Sequence, residues 1–226
     1  MFSCNALPIP SVQKDASTSI ELGAIGIMSS GLVQNRFQIN AIPTLEQKIR
    51  VKSISKYFDK TTISYYNKNQ PDTTKTLTYI DSLKIQSKYL QLEIIDKVTL
   101  LEELNAQPNK KVVDYLKTTE NILFISSVSI KFPEMLQNSI QNAEEVFLVN
   151  SDNKKYVLGL FNKDKCSETI EFSTGDIFEY ETSNFCWGVN DKHTIVITDI
   201  TNGKCGKSTY KTYYKSHKKQ LKANQY

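Results

Sequence analysis

The chain has 226 residues, 39% of them hydrophobic, which is enough to bury one substantial core or two small ones. A mean hydropathy of −0.39 and the lack of any apolar run of about 18 residues exclude a transmembrane helix within the sequence. The net charge of +4 conceals a split: residues 204–226 carry seven lysines and no acid, leaving 21 basic residues against 24 acidic ones elsewhere.

In chain order, residues 17–42 predict a β-hairpin. Ile20, Glu21 and Leu22 alternate, Gly23, Gly26 and Gly31 loosen and turn the chain, and Val33, Phe37 and Ile39 resume the period of two. Thr44 and Gln47 have capping-box spacing, but the run behind them is rich in Ile and Val, so helix and strand both stay open as far as Phe58. Residues 61–66, 76–80 and 89–95 predict strands, the first two separated by turn chemistry at 67–74. The middle is helical. Asp96 caps a helix over 97–105 with Val98, Leu101 and Leu104 on one face, and Asn109 caps another over 110–119 with Val112, Val113 and Leu116 as its stripe. The β-branched run 122–132 suits a central buried strand, and Pro133 opens a short helix through Asn142 with Met135, Leu136 and Ile140 inward. A meander follows over 146–149, 156–161, 170–172, 177–181 and 193–200. The prediction is a single α+β domain: β-rich, with antiparallel hairpins and two or three short helices in the middle. It spans 19–203, between a flexible tether at 1–18 and a basic, mobile tail at 204–226.

No catalytic or metal motif stands out. Residues 201–208 end like a phosphate-binding loop, but Thr201 occupies the place of the first glycine and too little chain follows for the α/β domain such a loop serves. Cys186 lies near His193 in sequence, yet no strained nucleophile turn accompanies it. Glu171, Glu179 and Glu181 alternate with apolar residues as on any half-exposed hairpin. The cysteines at 4, 166, 186 and 205 are too widely spaced for a zinc ribbon. In an oxidising compartment Cys166 and Cys186 are the preferred disulfide, because they flank the expected 170–181 hairpin. Lys204, Lys207, Lys211, Lys215, Lys218, Lys219 and Lys222, interleaved with Tyr210, Tyr213 and Tyr214, form a candidate site for an anionic partner. Only Arg36 and Arg50 among the 28 basic residues are arginine, which argues against base-specific reading of nucleic acid.

The start of the chain, Met1-Phe2-Ser3-Cys4, carries a small residue before a cysteine and an apolar residue three before it. It resembles the end of a bacterial lipoprotein signal, and residues 5–18, with Pro8 and Pro10, suit an extended tether. The resemblance covers residues 1–5 alone. It implies lipid on Cys4, a place in the cell envelope (the outer membrane, since Asn5 is not the aspartate that retains some lipoproteins at the inner one), and a binding or structural role with another envelope protein as partner. A cytoplasmic or phage-encoded accessory protein that contacts nucleic acid through the lysine-rich segment is the alternative. No cofactor is expected, and the balance leans away from an enzyme.

Overall fold

A computed structural model describes residues 20–30, 35–69, 76–79, 87–151 and 155–223. The architecture is α+β, with one antiparallel sheet of ten strands and, among the described residues, five α-helices rather than two or three.

β1 (Ile25–Ser30) and β2 (Asn35–Ala41) form the first hairpin, which begins later than the alternation suggests because Leu22 and Gly23 turn the chain, with Gly23 at φ +86°. β3 (Ile49–Tyr57) settles the open reading of 44–58 as strand. α1 (Lys60–Asn69) stands where a strand was expected over 61–66. The reason is a reciprocal cap. The Asp59 carboxylate accepts the Thr62 N–H at 2.7 Å while Thr62 Oγ1 accepts the Asp59 N–H at 2.8 Å, fixing a first helical turn. Helical spacing then sets Ile63 and Tyr66 on Phe58, Tyr89 and Phe178, a second small core whose ring centroids lie 4.8 to 5.6 Å apart. Residues 76–79 are likewise no strand; the Asn67 side chain bonds both backbone groups of Leu77 and holds that segment against α1. Residue 80 lies outside the described residues.

β4 (Lys88–Ile94) and α2 (Lys97–Asn105) follow the sequence closely, with Asp96 Oδ1 accepting the Thr99 N–H at 3.1 Å. The buried face of α2 is Leu100, Glu103 and Leu104, however, and Val98 is 70% exposed. In front of α3 (Lys110–Thr118), Asn109 makes no side-chain cap. Its amide is spent on Thr44 N and O and on the Glu103 carbonyl, at 2.7 to 2.8 Å, and Glu103 in turn accepts the Glu46 N–H. This buried clasp pins the 42–48 loop to α2. β5 (Ile122–Lys131) is the expected central strand, and α4 (Glu134–Asn142) buries Ile140 but leaves Met135 77% exposed.

β6 (Glu145–Asn150), β7 (Tyr156–Asn162) and β8 (Lys165–Glu171) form a meander, followed by β9 (Asp176–Val189), β10 (Ile195–Thr201) and α5 (Tyr213–Ala223). The sheet runs β10-β9-β5-β4-β3-β6-β7-β8. The β1–β2 hairpin branches from β5: β1 pairs with Ile122–Phe124, while β4 takes the same edge further on, from Ser127 to Ile130. No 170–181 hairpin forms, since β8 pairs with β7, and β9 with β5 and β10. Six strand-to-strand steps separate β8 from β9, about 29 Å across a flat sheet. The link from Glu171 to Asp176 reaches only about 18 Å. The sheet therefore curls, and the short turn Phe172–Thr174 touches both β7 and β9. The main core lies in this curl, around Ile25, Leu90, Leu92, Ile125, Val128, Leu148 and Leu158.

Candidate functional site

β9 outruns its neighbour β5, whose last partner on it is Asn184. Beyond that point one edge of β9 is open, and the C-terminal segment fills it. Trp187 N–H donates to the Tyr210 carbonyl at 2.7 Å and Tyr210 N–H returns a bond to Trp187 at 2.8 Å. Cys186 is bonded to Cys205, with Cα atoms 5.6 Å apart. In the chain-entropy picture a loop of this size adds about 3 kcal/mol.

From that fastening α5 runs back over the sheet. The Tyr213 ring meets buried Trp187 edge-on at 5.3 Å and stacks with His217 at 6.0 Å, and Lys117 Nζ of α3 lies 5.6 Å from the Tyr213 ring. Ser216 is buried, and Gln220 Nε2 donates to the His193 carbonyl at 2.6 Å. Residues 213, 216, 217 and 220 are spaced as one helical face. Within the segment expected to be a mobile tail, Cys205, Tyr210 and α5 are thus joined to β9, β10 and α3.

The expected pairing of Cys166 with Cys186 is replaced by Cys186–Cys205, because it assumed that the strands flanking residues 172–175 pair with each other. Cys166 instead sits exposed on β8, six strand-to-strand steps from β9 in the order of the sheet. Cys4 lies outside the described residues. The lysines at 204, 207, 211, 215, 218, 219 and 222 are all exposed, and the last five follow the outward side of α5 and its approach.

Two clefts accompany this arrangement. One, of about 390 Å³, lies where the end of α3 and the 119–122 turn meet Asn184, Trp187 and residues 211–214; Lys117 and Lys211 stand at it with Tyr213 and Tyr214. The other, of about 100 Å³, follows a serine strip between β5 and β9, where Ser183 Oγ donates to Ser126 Oγ at 2.9 Å near Glu93 and Glu181. Among the described residues neither histidine ring is hydrogen-bonded to a serine, threonine or cysteine side chain, and the Cys186 sulfur is spent in the disulfide. Among the described residues no three His, Cys, Asp or Glu side chains gather as a metal site. Of the three glutamates, Glu179 and Glu181 lie two residues apart on β9, where Glu179 accepts from Ser129 of β5, while Glu171 ends β8 and accepts from Ser173.

The sequence signal for docking was available in the 213–216–217–220 spacing, masked by the lysines between. What the site defines is a β-rich domain whose C-terminal segment, ending in a basic helix, is fastened to β9. The chain matches no protein-family model, no curated protein and no solved structure.

Proposed function

We propose that this is an extracytoplasmic bacterial lipoprotein, held by lipid on Cys4 and serving as a binding or structural component of an envelope assembly. One observation carries the reading. The C-terminal segment is fastened to β9 by Cys186–Cys205, and structural disulfides persist in oxidising compartments, not in the reducing cytosol. The cleft beside α5, with Lys117, Lys211, Tyr213 and Tyr214 at it, offers a surface for binding. The lipoprotein-like residues before the 5–18 tether supply the anchor, and an exposed helix with no acid supplies a surface for partners.

The test is fractionation of cells that express the native gene. The wild-type protein is expected in the membrane fraction with fatty acid on Cys4, and Cys4→Ala in the soluble fraction. A Cys4→Ala protein that still sediments with membranes through high-salt washing, and a wild type that incorporates no fatty acid, would each count against the anchor.

A further inference from the structure

α5 has two faces. Its inner face, from Tyr213 through Ser216 to Gln220, is engaged by Trp187, α3 and the His193 turn. On the outer side Lys215, Lys218, Lys219 and Lys222 follow the i, i+3, i+4, i+7 spacing that places them in one stripe, and Lys211 precedes it by one turn. All five are exposed. Tyr214 and Leu221, seven residues apart on the same flank of that stripe, are 67% and 52% exposed. The helix contains no acid, and the one acid of the adjoining α3, Asp114, is already paired with Lys117 at 3.0 Å.

A stripe of lysines could serve any polyanion. Two exposed apolar side chains beside it add something that a phosphate backbone does not need and a bilayer does: groups able to enter the interface while the ammonium groups stay at headgroup depth. Lysine acts as a point charge, adequate for a diffuse anionic surface and poor for bidentate reading of one group. We propose that the outward face of α5 docks on a bilayer containing anionic phospholipid, with Tyr214 and Leu221 entering the headgroup region and Lys215, Lys218 and Lys222 lying among the phosphates.

This deepens the envelope reading and rests on it, giving the domain a second membrane contact that orients it on the surface. Failure of one does not mimic failure of the other, because the test uses the full-length, oxidised Cys4→Ala chain, which carries no lipid. Its binding is measured by co-sedimentation with vesicles of phosphatidylcholine alone and of phosphatidylcholine mixed with phosphatidylglycerol. Binding only to the anionic vesicles, weakened by salt, is expected. The triple change Lys215→Gln, Lys218→Gln, Lys222→Gln should weaken it by on the order of 100-fold. Tyr214→Ser with Leu221→Ser should weaken it by about 10-fold while leaving heparin binding unchanged. Circular dichroism and the intact disulfide establish that each variant is folded. Tyr214→Trp, which keeps a ring in place, should show a blue-shifted emission on adding anionic vesicles. No binding, equal binding to neutral vesicles, or binding indifferent to Tyr214 and Leu221 with no emission shift would each overturn the proposal; the last would make α5 a general polyanion site, including for nucleic acid.

Discussion

At the scale of single residues, Glu21 is the clearest conflict left in the fold. One carboxylate oxygen is buried with no hydrogen-bond partner. Burial pushes its pKa up, and the Lys155 charge and the Tyr156 N–H only partly offset that. The nearby Tyr156 hydroxyl, which donates to the Pro43 carbonyl at 2.6 Å, is itself driven up by burial first and by the charges of Glu21 and Glu103 after it. A carboxyl whose folded pKa exceeds its unfolded value binds more protons in the native state, so its contribution to stability falls as pH rises through that interval. Glu21→Gln should therefore raise the melting temperature at pH 7. The gain should fade below the unfolded value of 4.5, where Glu21 is protonated in both states. A variant less stable than wild type at pH 7, or a gain that persists unchanged in acid, would contradict this account.

Among the elements, what was legible depended on whether local signals and packing agreed. α2 shows both an Asp96 cap and a helical stripe, and β5 is a β-branched run long enough to read as buried. α1 shows the opposite case. Thr61, Thr62 and Ile63 have sheet propensity, but the Asp59–Thr62 cap and the aromatic cluster under Tyr66 prevail, and neither is visible as a periodic pattern. β8 and β9 were legible only in part, as 170–172 and 177–181, and their separation not at all, because pairing depends on the curl of the whole sheet. α5 was hidden by charge: a stripe of only Tyr213, Ser216, His217 and Gln220 is too polar to look like a packed face, although Tyr213 meets Trp187 and Ser216 is buried. The docked arrangement makes a definite prediction. Deleting residues 207–226 uncovers Trp187 and frees one edge of β9, so stability measured by urea unfolding should drop by about 2–3 kcal/mol, the scale of one large buried aromatic contact. An unchanged midpoint would mean that the segment is a tail after all.

Across the whole molecule, the curled sheet carries a main core and a smaller aromatic one, and an acid-free helix with four lysines packs beside β9 and β10. The lysines of the C-terminal segment thus stand on and before a helix that packs on the sheet. No helix among the described residues is long and apolar enough to cross a membrane. Both the place of the protein and the fixing of α5 converge on the same sulfur pair. The most direct measurement is a peptide map without reduction, after blocking free thiols, on protein taken from the native cell envelope. The account predicts a linked peptide joining Cys186 to Cys205 and a blocked, unpaired Cys166. Recovery of Cys186 and Cys205 both as blocked thiols, or of a Cys166–Cys186 link, would contradict it.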